Sequence, residues 1–166
     1  MSKITLKGST INTFGDLPAV GSKAPDFSLV GTNLSDVKNT DFAGKRLVLN
    51  IFPSLDTATC AASVRRFNVE AAKLENAVVI CISKDLPFAH GRFCAAEGIA
   101  NVVSASEFRG NAFGKSYGVM ITDGPMQGLL SRAVVVVDKD GTVLHSQQVP
   151  EITVEPDYQS ALDSLK

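Results

Sequence analysis

Apolar positions along this chain fall into two kinds of pattern. Three short unbroken runs stand out: Leu47-Val48-Leu49-Asn50-Ile51-Phe52, Val78-Val79-Ile80-Cys81-Ile82-Ser83 and Ala133-Val134-Val135-Val136-Val137. Their length and lack of alternation predict strands buried on both faces of a sheet. Between the first two, apolar side chains recur at Cys60, Val64, Phe67, Ala71 and Leu74, spaced 4, 3, 4 and 3. That is one stripe of an α-helix, predicted over residues 58–74. Pro53 stops the first strand, and Asp56 or Thr57 can cap the helix. Pro87 opens a second helix and Gly98 can end it. Val102-Val103 reads as a short strand, and residues 107–117 suggest another short helix. Asp138-Lys139-Asp140-Gly141 is a turn joining strand 133–137 to an antiparallel partner over 142–149. A last helix starts at Pro156 and runs to about Leu165. The first twenty residues alternate weakly through Ile4, Leu6, Ile11 and Thr13, which predicts a small hairpin. Residues 15–46 are rich in Gly, Pro, Asp and Ser, and read as loops with short strands such as Phe27–Val30.

Strand and helix alternate through the middle of the chain, and a hairpin and a helix close it. The prediction is an α/β architecture of three layers, a central mixed sheet with helices on both faces. The order is compatible with a thioredoxin-like fold carrying an N-terminal β-hairpin extension, as one domain over residues 1–166. Composition narrows the function. Hydrophobic residues make up 45% and charged residues 20% of the 166 positions, so the chain has material for one core. Sixteen Lys and Arg against seventeen Asp and Glu give a net charge of −1. That removes the basic field which nucleic-acid binding requires. No apolar run approaches the roughly 20 residues of a membrane span. The opening Met1-Ser2-Lys3-Ile4-Thr5-Leu6-Lys7-Gly8 lacks the apolar core of a signal peptide, so a cytoplasmic protein is expected. Three cysteines in such a chain do not make a disulfide scaffold. No cysteine pair has zinc-site spacing, and His90 and His145 stand far apart, so neither a metal nor a cofactor is expected.

The chemistry centres on Cys60. It falls in the first turn of a predicted helix, directly after a buried strand and a Pro-containing loop. Unpaired N–H groups and the positive end of the helix dipole favour a thiolate there. A core cysteine on the same stripe as Val64 and Phe67 is the competing reading. Pro53 would pin the loop and shield the sulfur. Thr57, three residues before Cys60, can set its hydroxyl beside the sulfur, cap the helix, or do both. Arg132 precedes the strongest apolar strand, an odd place for a purely structural arginine. Arg65 and Arg66 read as surface residues of the Cys60 helix. Cys94 and His90 fall on one face of the second helix, with His90 expected at the surface. Cys81, between Ile80 and Ile82, reads as buried and inert.

Pro53, Thr57 and Cys60 form a Pro-x-x-x-Thr-x-x-Cys motif. With it, the chain resembles the peroxiredoxins. The stretches Asn50–Ser54, Cys60–Arg65, Cys81-Ile82-Ser83, Asp85–Ala89, Arg92-Phe93-Cys94, Ala96-Glu97-Gly98 and Arg132–Val136 are similar to the thiol peroxidase branch, the atypical two-cysteine group. The resemblance runs from Ala24-Pro25-Asp26-Phe27 to the C-terminal helix. It implies that Cys60 is the peroxidatic cysteine and Cys94 the resolving one, joined in an intramolecular disulfide. It implies that Arg132 stabilises the thiolate and the leaving oxygen, with thioredoxin as reductant, hydroperoxides as substrate and a homodimer as the assembly. Two other readings compete. Cys60-Ala61-Ala62-Ser63 is a Cys-x-x-Ser, as a thioredoxin-like thiol–disulfide oxidoreductase could carry. A redox-sensing binding module would use Cys60 only once.

Overall fold

The computed structural model describes residues 2–166. Strand β1 (Lys3–Leu6) and β2 (Ser9–Asn12) form the predicted hairpin, and β3 (Ser28–Gly31), β4 (Asp36–Lys38) and a 3-10 turn (Asn39–Phe42) follow. The central unit is β5 (Arg46–Ile51), α1 (Ala58–Ala71), β6 (Ala77–Ser83), α2 (Pro87–Glu97) and β7 (Val103–Ser106). The chain ends with α3 (Ala112–Ser116), β8 (Ala133–Val137), β9 (Val143–Gln148) and α4 (Tyr158–Asp163).

Seven strands make one mixed sheet in the order β4-β3-β7-β6-β5-β8-β9. The β5, β6 and β7 strands run parallel, each crossover made by a helix, while β8 returns antiparallel to β5. The three strands that read as unbroken apolar runs, β6, β5 and β8, are adjacent and interior in this sheet. Val48, Val79, Cys81, Val134 and Val136 point to one face, packed by α1, α2 and α4 through Val64, Phe67, Phe93 and Ala161. Leu47, Leu49, Ile51, Ile80, Ile82, Val135 and Val137 point to the other, covered by Phe27, Phe113 and Tyr117. Burial on both faces is why these strands show no alternation.

Some boundaries move. The Cys60 helix ends at Ala71 rather than residue 74. The helix expected over 107–117 shrinks to Ala112–Ser116, because the Glu107 carboxylate stays outside it and accepts the N–H groups of Phe113 and Gly114 at 2.6 and 3.1 Å. Helix α4 begins after Asp157, whose side chain accepts from Ser160 N at 3.0 Å.

The β1–β2 hairpin packs Ile4 and Ile11 on Ile121 and Ile152. Glu151 ties it down: its carboxylate accepts from the Thr5 hydroxyl, from Lys7 N at 2.8 Å and from Gly8 N at 3.2 Å. These bonds, the Thr5 hydroxyl first, hold the Glu151 carboxyl down at about 2. Segment 150–153, fixed in this way, reaches the site described next.

Candidate active site

Strand register brings the site together. Ile51 pairs with Ala133 in antiparallel β5 and β8, so Arg132 lies level with the loop that leaves β5. Ile51 also pairs with Ile82 in parallel β5 and β6, and Phe52 N donates to Ile82 O at 3.1 Å. The loop after β5 is therefore flanked by Arg132 on one side and by Ser83–Asp85 on the other.

Asp85 clamps this loop. Its carboxylate accepts from Ser54 Oγ and Leu55 N, both at 2.8 Å. Pro53 is buried within it. Thr57 is the N-cap of α1, with extended backbone at φ −102° and ψ 144°. Its hydroxyl accepts from Cys60 N at 3.4 Å and donates to Ser54 O at 3.1 Å. Of the two roles weighed for Thr57, the cap is the one seen here, and its proton is directed at Ser54.

Cys60 is 0% exposed, and Arg132 beside it 2%. Arg132 Nη2 donates to Cys60 Sγ at 3.3 Å. Arg132 Nε donates to Ile152 O at 2.8 Å, and Thr59 Oγ1 donates to Thr153 O at 3.1 Å. The segment that Glu151 anchors thus holds both the arginine and the cysteine helix. Arg132 Nη1 is buried with no partner among the described residues, so the guanidinium has a donor left over beside the sulfur. A cation and a helix start thus meet at one buried sulfur.

Cys94 is half-buried on α2, and its Sγ lies 3.4 Å from Ser104 Oγ on β7. Cys60, Cys81 and Cys94 are all free thiols. Cys81 is 0% exposed, with Asn50 Nδ2 3.7 Å from its sulfur. Burial pushes its thiol up to about 12, which leaves it protonated and a poor nucleophile. Cys81→Ser is accordingly expected to consume peroxide near the wild-type rate in a coupled assay. A loss comparable with that of Cys60→Ser would bring Cys81 into the reaction.

Arg65 is exposed and gives Glu97 a two-point ion pair, both contacts at 2.9 Å, between α1 and α2. Arg66 pairs with Glu70 and lies over the Tyr158 ring. His90 departs from expectation, being buried rather than at the surface. Phe52 packs beside its ring, and the turn into α2 points it at the end of β6. Asp85 and Ile152 were missed as site residues because one is a lone acid after a strand and the other acts through its carbonyl. Neither has a periodic signal. Among the described residues no cluster of His, Cys, Asp and Glu could hold a metal ion.

A thioredoxin-like sheet that presents one buried thiol at a helix start, under a guanidinium, defines a thiol-based redox protein. Residues 19–162 match the Redoxin family, and the chain belongs to that family. It is 56% identical to a thiol peroxidase of Mycobacterium tuberculosis over 165 residues, 99% of each chain. A thiol peroxidase of Corynebacterium glutamicum is 53% identical over 165 residues, again 99% of each. Among solved structures, a peroxiredoxin-like protein from Aquifex aeolicus superposes with a TM-score of 0.93 at 38% identity, covering 99% of this chain and 96% of that one. Thiol peroxidase from Chromobacterium violaceum shares the fold, with a TM-score of 0.91 at 23% identity and the same coverage of 99% and 96%. The chain is a peroxidase of the thiol peroxidase group, an oxidoreductase that reduces peroxides.

Proposed function

We propose that the protein is a thioredoxin-dependent peroxidase for hydrogen peroxide and for organic, lipid-type hydroperoxides, serving antioxidant defence. The observation that carries the peroxide-reducing step is the Arg132 guanidinium on Cys60 Sγ at 3.3 Å, with its second terminal nitrogen unengaged; the reductant and the substrate range rest on the resemblance of the motifs. In the first step the Cys60 thiolate attacks the terminal peroxide oxygen. The O–O bond breaks, Cys60 becomes a sulfenic acid, and the leaving oxygen departs as alcohol or water after taking a proton. Arg132 steadies the thiolate and then the charge developing on that oxygen. In the second step the Cys94 thiol displaces the sulfenic oxygen as water, giving a Cys60–Cys94 disulfide. In the third, the two thiols of thioredoxin take over the disulfide by exchange, and both cysteines return to the reduced form. We propose a cytoplasmic protein, and a homodimer on the resemblance of its motifs to the thiol peroxidase branch.

The second step calls for movement. Ser104, which partners Cys94, lies on β7, and Arg132, which partners Cys60, directly precedes β8. Those strands are separated by β6 and β5, roughly 14 Å at ordinary strand spacing. A disulfide needs Cα atoms within about 7 Å. Residues near 57–62 and 86–97 are therefore expected to unwind on oxidation. The ion pairs Arg65–Glu97 and Arg92–Asp56, which would have to part, are both exposed and weak.

Mass spectrometry after one equivalent of peroxide tests the reading. A single intramolecular link between the Cys60 and Cys94 peptides is expected, together with faster hydrogen exchange over 86–97 in the oxidised form. A link through Cys81, or none, would overturn the resolving role of Cys94. Equal protection in both forms, with the link present, would overturn the unwinding.

A further inference from the structure

Helix α2 buries few side chains completely. It has no side-chain cap, no acidic residue in its first turn and no basic residue in its last; the side chains it fully buries are Pro87 and His90, with Phe93 partly buried on the sheet and Glu97 paired to Arg65 at the surface. Gly91 further lowers its intrinsic preference for helix. Of the buried residues that seat it, His90 is the one that reaches the Cys60 loop, and the peroxidase chemistry above does not use it.

His90 is 1% exposed. Its Nε2 lies 3.0 Å from Ser83 Oγ. The Ser83 hydroxyl donates to Asp85 Oδ2 at 2.5 Å, and its oxygen also receives Asp85 N at 3.1 Å. A hydroxyl has one proton. With that proton on Asp85, the Ser83 oxygen must accept from His90, so the neutral ring carries its hydrogen at Nε2. Nδ1 is then a buried lone pair, without a partner among the described residues. The same Asp85 carboxylate accepts from Ser54 and Leu55. One continuous chain of hydrogen bonds therefore runs from α2 through His90, Ser83 and Asp85 to the loop that leads into Cys60.

We infer that His90 is a proton-operated clasp: neutral, it seats α2 against the Cys60 loop, and protonated, it releases the helix. Protonation would place a charge in the interior and an N–H at Nδ1 with no acceptor, both of which are costly. Burial accordingly pushes His90 down to about 4, with the Asp85 charge opposing in part. Once the helix opens, the ring returns to its ordinary value near 6.5. The seated form keeps its full advantage above about 6.5, loses it as the pH falls, and loses no more below about 4. Between pH 8 and pH 5 the opening should become easier on the order of tenfold to thirtyfold.

Other charged or titratable groups surround this region. Asp85 lies at the end of β6, Asp56 and Arg92 pair at 3.6 Å, and Cys94 is one turn along α2. Glu97 is held low by Arg65, and Glu107, beyond Ser106, is raised by burial. His90→Gln leaves all of these in place and can still donate to Ser83, so it isolates the imidazole.

The use of this release in turnover rests on the Cys60–Cys94 route proposed above, but the clasp itself can be read in the reduced protein. The measurement is amide hydrogen exchange of the reduced chain from pH 8 to pH 5, corrected for intrinsic rates. Protection of residues 91–97 is expected to fall on the order of tenfold or more, while β5 and β8 hold theirs. In His90→Gln the fall should vanish. Wild-type protection that is flat with pH, or a fall that persists in His90→Gln, would overturn the clasp. Should that variant not fold, the wild-type ring followed by NMR decides: titration near 6.5 with α2 still protected would also overturn it. Rapid-quench mass spectrometry after peroxide separates the two proposals. Proton-linked opening without a Cys60–Cys94 link overturns the route and leaves the clasp. A link formed while α2 exchange ignores pH does the reverse.

Discussion

Cys60→Ser is expected to end peroxide consumption with thioredoxin and its reductase present, leaving only the rate of the blank. The substitution changes one atom in a fully buried position. Arg132 can donate to a serine oxygen as it does to the sulfur, and the Thr57 cap on Cys60 N is untouched. Folding should therefore survive, and thermal melting beside the assay would verify it. What is lost is the nucleophile, because a serine hydroxyl attacks a peroxide oxygen far less readily than a cysteine sulfur does. Cys94→Ser should behave differently. Its Cys60 can still be oxidised to the sulfenic acid, so about one peroxide per chain is consumed before turnover stops and sulfenic Cys60 accumulates, passing to sulfinic acid only where a second peroxide is consumed. A redox sensor would give that single-turnover result in the unmodified protein. Sustained turnover by Cys60→Ser would overturn the assignment of the attacking sulfur.

The parts of the molecule legible in its sequence are those that depend on local pattern. The apolar runs at 47–52, 78–83 and 133–137 became β5, β6 and β8 because burial on both faces removes alternation. The spacing through Cys60, Val64 and Phe67 marked the buried stripe of α1. Strand β4 was not legible, since its three residues carry one apolar side chain and only pairing with β3 makes it a strand. Pattern also failed where side chains meet through the sheet. Seventy-two positions separate Arg132 from Cys60, and only the Ile51–Ala133 register explains their contact. The resemblance to a known family pointed to that arginine, whereas spacing alone could not. His90 was misplaced for a related reason. An imidazole reads as polar, yet the hydroxyl of Ser83 and the ring of Phe52 make a seat for it that no helical period reveals.

Arg132→Ala should slow the reaction of Cys60 with peroxide by on the order of a hundredfold or more, the usual consequence of removing an aimed donor worth roughly 3–4 kcal/mol. Two effects combine. Nη2 is the cation at the sulfur, and the buried, unengaged Nη1 is the donor available to the departing oxygen. The measurement is the second-order rate of peroxide attack, by rapid quench with alkylation and mass spectrometry. Thermal melting serves as the control for the space left behind. Arg132→Lys distinguishes charge from geometry. An ammonium could approach the sulfur, but it cannot also keep the Nε bond to Ile152 O at 2.8 Å and offer a second donor in the same plane. The lysine variant should therefore remain close to the alanine variant. Recovery by lysine would mean that positive charge alone suffices. A wild-type rate in Arg132→Ala would make the arginine a strut for the Ile152 segment, and stabilisation of the leaving oxygen would have to come from the N-terminal amides of α1.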